Sequence, residues 1–238
     1  EEAESSYREA TILKPDYAEA HYNLGITLHE LGRLEEAEAN YRRTIALKSE
    51  YPEAHYNLGV ILKQLGKLNE AESSYREATI LKPDYAEAHN NLGIILQELR
   101  RFDEAESSYR NAITLKPDYA EAHYNLGITL HELGELDEVE AIYKQAIALK
   151  PDYAEAYSNL GNILQELGRY HEAESRYREA IALKPNHAGA HNNLGEALNE
   201  LGKLDEAEAC YRDAIALKPD FTAAHFNLAI TLKEQSRY

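Results

Sequence analysis

Methionine and tryptophan are both absent from this chain, and cysteine occurs once, at Cys210. A lone thiol cannot close an intrachain disulfide. That usage fits a reducing compartment, and the cytoplasm is the expected one. Basic residues are scarce beside acidic ones, 25 Lys and Arg against 42 Asp and Glu, for a formal charge of −17. Nucleic acid and anionic membrane surfaces both require a basic footprint, so neither is expected as a partner. No apolar run approaches the roughly 20 residues that span a bilayer, and no secretory leader is legible. Position 1 is not methionine and the chain opens inside a structural period, so the 238 residues are expected to be a piece of something longer.

Irregular spacing is missing as well. Asn23-Leu24-Gly25 recurs at Asn57, Asn91, Asn125, Asn159 and Asn193, and a final copy reads Asn227-Leu228-Ala229, always 34 residues on. A fixed period of this size marks a solenoid, in which each unit buries its apolar stripe only against its neighbours. The chain divides into a half unit (1–17), six full units (18–51, 52–85, 86–119, 120–153, 154–187, 188–221) and a second half unit (222–238). One array over 1–238 is therefore expected.

Within the first full unit, Ala20, Leu24, Leu28 and Leu31 form one helical stripe, and Ala37, Tyr41, Thr44, Ile45 and Leu47 form another. Gly32 lies between them and supplies a tight turn. Pro15, Pro83, Pro117, Pro151, Pro185 and Pro219 stop the second helices, while Ser49 stands at the remaining linker. Asp16/Glu19, Asp84/Glu87, Asp118/Glu121 and Asp152/Glu155 have capping-box spacing, as do Asp103/Glu106, Asp137/Glu140 and Asp205/Glu208. Gly25 and its equivalents cost helix stability. Close approach to small residues such as Ala37 and Ala71 is the expected compensation, with the Tyr41 series filling the space between pairs.

The pattern His123, Leu126, Gly127, Leu130, Val139, Tyr143, Ala146, Pro151 resembles the tetratricopeptide repeat (TPR) family. The resemblance covers the whole chain. It implies an all-α, right-handed superhelical solenoid of antiparallel helix pairs whose first helices line a concave groove for extended peptides. Arg100 departs from it at the turn glycine, Ser49 at the linker proline and Val139 at the small position.

On a helical wheel centred on Leu24, the face away from the core carries Glu19, Tyr22, Asn23, Ile26, His29, Glu30 and Arg33. Asparagine holds one place on that face in every copy: Asn23, Asn57, Asn91, Asn125, Asn159, Asn193 and Asn227. An amide offers donor and acceptor together, matching the C=O and N–H of a peptide backbone. The TPR superhelix of O-GlcNAc transferase is similar in carrying such a ladder. The competing reading is that each Asn bonds the adjacent repeat. Tyr22, Tyr56 and Tyr124 are expected to offer aromatic contacts, and Ile26, Val60, Ile94 and Ile128 apolar anchors, with Asn162 and Glu196 replacing the latter in copies five and six. Glutamates edge the face, so cationic peptides are the expected ligands. The TPR clamp for acidic C-termini needs Lys and Arg here and is absent.

His21 and its equivalents occur once per repeat and do not converge, so no metal is expected. No cofactor motif and no catalytic constellation is legible. The leading expectation is thus a non-enzymatic scaffold that binds a protein or peptide. The alternatives are the substrate-selecting arm of a larger enzyme, such as an O-GlcNAc transferase-like glycosyltransferase, and a self-assembling structural repeat without a ligand. The half units are complementary, so head-to-tail self-association through 1–17 and 222–238 is a further expectation.

Overall fold

The computed structural model describes residues 2–236, which contain fourteen helices and no strand. They fall into two compact units, Glu1–Pro117 and Asp118–Tyr238. The first holds α1 (Glu2–Leu13), α2 (Ala18–Glu30), α3 (Leu34–Leu47), α4 (Pro52–Gln64), α5 (Leu68–Leu81), α6 (Ala86–Glu98) and α7 (Phe102–Leu115). The second holds α8 (Ala120–Leu133), α9 (Leu136–Leu149), α10 (Ala154–Glu166), α11 (Tyr170–Leu183), α12 (Ala188–Glu200), α13 (Leu204–Leu217) and α14 (Thr222–Gln235). Within each unit, successive helices pack as antiparallel pairs, so the protein is an all-α helical repeat solenoid.

Each pair turns on a residue in the left-handed region. Gly32, Gly66, Gly134, Gly168 and Gly202 have φ between +71° and +80°. At the first turn, Gly32 N donates to His29 O at 2.9 Å and Arg33 N to Leu28 O at 2.9 Å. These bonds satisfy carbonyls that the end of the helix leaves unpaired. Arg100 adopts the same conformation, at φ +58°, without glycine's freedom.

The expected capping boxes do not form. The N-cap of α2 is Tyr17, and that of α6 is Tyr85, neither with a side-chain capping bond. Asp16 instead sits in a β-turn with Pro15, closed by Tyr17 N donating to Lys14 O at 3.1 Å. Proline presets the second turn position, and Asp suits the third. Asp103, Asp137 and Asp205 lie inside the first turns of α7, α9 and α13 rather than at their caps. His187 supplies a cap that the sequence did not signal, its Nδ1 accepting from Ala190 N at 3.0 Å.

The core is narrower than the sequence stripe. Ala20, Leu24, Leu28, Ala37, Tyr41 and Thr44 are buried, but Leu31 follows the end of α2 and is 48% exposed. Ile45 and Leu47 are half-buried. The glycine inside each first helix faces a tyrosine ring of its own pair, not an alanine. A Cβ on Gly25 would lie 2.8 Å from Tyr41 Cε1, and one on Gly127 would lie 2.5 Å from Tyr143 Cε1. The helices approach closely because a flat ring lies against bare backbone.

Second helices are joined by ion pairs. In the first unit, Glu4, Arg8, Glu36 and Arg33 close a four-membered ring, with Arg8 2.8 Å from each Glu and Arg33 2.6 Å from Glu4. Glu72, Arg76, Glu104 and Arg101 repeat it at 2.7–2.8 Å. Lysine takes part in both units: Lys67 and Arg42 share Glu38, Lys144 and Arg169 share Glu140, and Lys203 and Arg178 share Glu174.

Candidate functional site

The outward faces of the first helices are built by aromatic triplets at the repeat junctions. Tyr22 lies between Tyr41 and Tyr51, with ring centroids 5.9 and 4.8 Å away. Tyr56 sits likewise between Tyr75 and Tyr85, and Tyr124 between Tyr143 and Tyr153. The third ring comes from the linker, and Lys48, Lys82 and Lys150 lie over those rings at 4.5–4.7 Å. Burial raises the phenol pKa of Tyr22, Tyr56 and Tyr124. The three tyrosines are thus half-buried members of packed stacks. The recurring Lys-x-x-Tyr was the sequence signal for the missing partner.

These stacks engage the asparagine row. Asn57 Nδ2 donates to Tyr22 OH at 3.1 Å, Asn91 Nδ2 to Tyr56 OH at 3.1 Å, and Asn159 Nδ2 to Tyr124 OH at 3.3 Å. Asn193 donates to Asn162 Oδ1 at 2.9 Å, and Asn227 to Asn192 Oδ1 at 3.2 Å and Glu196 Oε1 at 2.8 Å. Each of these amides therefore bonds the preceding repeat. Among the described residues, no donor reaches Oδ1 of Asn57 or Asn159. Asn23 and Asn125 occupy equivalent, half-buried places on α2 and α8.

Ile26, Val60, Ile94 and Ile128 are half-buried on the same helices, outside the core. In the first unit, Val60, Ile94, Asn91, Lys63, Gln64 and Tyr75 line a cavity of about 330 Å³. In the second unit, a cavity of about 360 Å³ is lined instead by polar and acidic groups, among them Glu196 and Glu200.

The glutamates that edge these faces, read from the sequence as an acidic lining, are partly compensated. Lysines at the ends of the second helices reach back to the first: Lys48 to Glu19 at 3.6 Å, Lys82 to Glu53 at 3.5 Å, Lys116 to Glu87 at 3.4 Å, Lys150 to Glu121 at 3.2 Å and Lys184 to Glu155 at 2.8 Å. Lys63 pairs with Glu98 at 3.1 Å. The recurrent histidines are tied to the linkers. Nε2 of His21, His55, His89, His191 and His225 lies 2.9–3.2 Å from the carbonyl six residues earlier. No helix among the described residues is long and apolar enough to cross a membrane.

The comparisons agree with this architecture. The family model described as the cilia and flagella-associated protein 70 C-terminal domain matches residues 52–238, more than three quarters of the chain. A TPR repeat model matches residues 1–32 and 27–66. No curated protein matches the sequence. Among solved structures, YrrB, a TPR protein with an unusual peptide-binding site, is similar with a TM-score of 0.67 and 22% identity, over 78% of this chain and 96% of that one. PilF of Pseudomonas aeruginosa is similar with a TM-score of 0.78 and 20% identity, over 89% and 96%. MamA has a TM-score of 0.65 and 25% identity, over 71% and 92%. With its 34-residue period, its glycine–tyrosine helix pairs and these matches, the chain belongs to the tetratricopeptide repeat family.

Proposed function

We propose that this chain is a non-catalytic protein-interaction scaffold that holds an extended segment of a partner along the first-helix faces of its units. The observation that carries the reading is the state of the asparagines. A tyrosine of the preceding repeat fixes the amide of Asn57 or Asn159, so its oxygen stands ready to accept a peptide N–H without a further ordering cost. Half-exposed Ile26, Val60, Ile94 and Ile128 supply apolar anchors beside the row. YrrB, similar in fold, is described as having a peptide-binding site. Glu30, Glu200 and Glu234, which form no ion pair among the described residues, favour cationic segments, whose binding weakens as salt rises.

Selection of peptides on the full chain tests this. Replacing Asn57, Asn91, Asn125 and Asn159 by Ala should lower the affinity of selected peptides at least about tenfold, a hydrogen bond or two, with helicity retained by circular dichroism. Unchanged affinity in the folded variant would show that the asparagines serve only the repeat junctions.

A second reading, head-to-tail self-association through 1–17 and 222–238, is favoured by the end faces. Ile12 is 76%, Leu13 77% and Phe226 65% exposed, and Leu232 is 41% exposed where its counterpart Leu28 is fully buried. Glu1 and Tyr238, which set the complementary register, lie outside the described residues. Sedimentation should detect concentration-dependent oligomers that Leu228→Glu abolishes. A monomer at every concentration would retire the idea.

A further inference from the structure

The 360 Å³ cavity of the second unit lies among α10, α12 and α14, with Tyr170 of α11 and Tyr211 of α13 in its walls. Three carboxylates line it, Glu166, Glu196 and Glu200, and no Lys or Arg does among the described residues. Glu196 is held by neutral donors: Asn192 Nδ2 at 2.8 Å, Asn227 Nδ2 at 2.8 Å and Gln165 Nε2 at 3.3 Å. Those amides fix the carboxylate without neutralising it. Glu166 accepts from His131 Nε2 at 3.0 Å, while Glu200 takes no hydrogen bond among the described residues.

An independent observation points the same way. Tyr211 is 2% exposed, its ring lies against Gly195, and its side chain lines the cavity. Its hydroxyl has no hydrogen-bond partner among the described residues. Four equivalent hydroxyls are engaged, Tyr75 by Asn91, Tyr109 by Gln97, Tyr143 by Asn159, and Tyr177 by Asn162 and Gln165, while that of Tyr41 in the first unit is not among the described residues. The difference follows from sequence. Glu196 replaces Asn162, and Asn227, the amide that would reach Tyr211, is drawn to Glu196 instead. The Tyr211 oxygen therefore keeps its acceptor capacity for a donor that enters the cavity.

We propose that this cavity seats the guanidinium of an arginine side chain carried by the bound partner segment, an assignment that rests on the peptide-scaffold reading above. Guanidinium presents five donors in a planar fork, and the cavity offers dispersed acceptors: Glu196, Glu200 and the Tyr211 oxygen. It is weakly hydrated and stacks on aromatic faces, which Tyr170 supplies. The ammonium of lysine is compact and strongly hydrated, so it would fill fewer of these acceptors.

The test is an NMR titration of the isotope-labelled full chain with N-acetyl-arginine amide, its lysine counterpart and its neutral citrulline isostere. Arginine amide should perturb α10, α12 and α14 and the side-chain amides of Gln165 and Asn227. The lysine compound should bind about fivefold more weakly, and citrulline should not bind detectably, because the charge-assisted bonds are lost. E196Q should weaken arginine binding about tenfold, and E200Q and Y211F about threefold each. Thermal melts establish that each variant is folded, and E200Q carries the test if E196Q is not. Equal binding of arginine and citrulline amides, perturbations elsewhere, or indifference to these substitutions in folded protein would overturn the assignment. The two readings fail separately. A chain that selects arginine-free peptides and ignores arginine amide loses this pocket but keeps the scaffold. A chain that binds the amide at this cavity but selects no peptide keeps the pocket and loses the scaffold.

Discussion

The two units share one packing plan and differ on one face. Leu58 in the first and Leu126 in the second are both buried, and Gly59 and Gly127 both lie under a tyrosine ring. On the outward face, the position of Ile26, Val60 and Ile94 in the first unit becomes Ile128, Asn162, Glu196 and Ile230 in the second. The hydroxyls beneath do not sort by unit: Tyr75 and Tyr143 are met by Asn91 and Asn159, whereas Tyr41 and Tyr211 are unmet among the described residues. A repeat thus separates two kinds of constraint. Core positions answer to nearest-neighbour packing and stay fixed, while face positions vary without disturbing it.

The largest expected effects test whether the cores are equivalent. Leu58→Ala and Leu126→Ala should each cost about 2–5 kcal/mol, the transfer loss plus the cavity left behind. Denaturant melts that differed strongly between the two would break the claim of a shared core. Next come Gly59→Ala and Gly161→Ala. Alanine should gain about 1 kcal/mol in helix propensity, but its Cβ would lie 2.8 Å from Tyr75 Cε1 or 2.5 Å from Tyr177 Cε1. Both rings are buried and have little room to yield. Overpacking of about 1–3 kcal/mol should therefore win, with Gly161→Ala the costlier. A stabilised variant would show that the rings move freely.

Acid sharpens the comparison at the second helices. Arg8 and then Arg33 hold the Glu36 carboxyl below its ordinary value of 4.5, and Arg101 and then Arg76 do so for Glu104. In the second unit, Lys144 and then Arg169 lower Glu140. A carboxyl depressed in the folded state stabilises it above the unfolded value and loses that contribution as pH falls through the folded one. Melting temperature should therefore hold from neutral pH down to about 4.5 and fall below it, and added salt should reduce the acid-sensitive part. Loss of stability well above pH 4.5 would mean that other groups govern it.

The fold was legible because the period repeats its own evidence: seven copies of Asn-Leu-Gly or Asn-Leu-Ala, five turn glycines and six linker prolines leave one register. The glycine's partner was not legible. Tyr41 lies sixteen residues from Gly25, and a wheel drawn on one helix cannot place a ring from another. Capping boxes were misread because Asp-x-x-Glu also arises when Asp serves a Lys-Pro-Asp turn and Glu serves a lysine 29 residues on, as with Glu19 and Lys48. The asparagine row was legible as a row, and its bonds run to the preceding repeat, while the peptide role is the proposal made above. The donor of Asn57 belongs to Tyr22, while its acceptor has no donor among the described residues.

The smallest prediction concerns the one turn where the first unit departs from the rest. Arg100 stands at φ +58°, while its counterpart Gly168 in the second unit has φ +71°. A left-handed L-residue costs about 1–2 kcal/mol, which Arg100→Gly removes. The contacts of Arg100 and the entropy of the unfolded chain oppose the gain. The Arg100 guanidinium lies 5.3 Å from the Phe102 ring centroid, a contact worth about 0.5 kcal/mol when exposed. Glycine also frees the unfolded chain, at about 0.4–1 kcal/mol. The balance favours Arg100→Gly by roughly 0.5 kcal/mol, a rise in melting temperature of about 1–2 °C for a chain of this size. The reciprocal Gly168→Arg would have Tyr170 in the place of Phe102 and should lose about as much. If both substitutions destabilise, Arg100 makes contacts that outweigh its backbone, and the departure at this turn belongs to what the first unit holds rather than to drift.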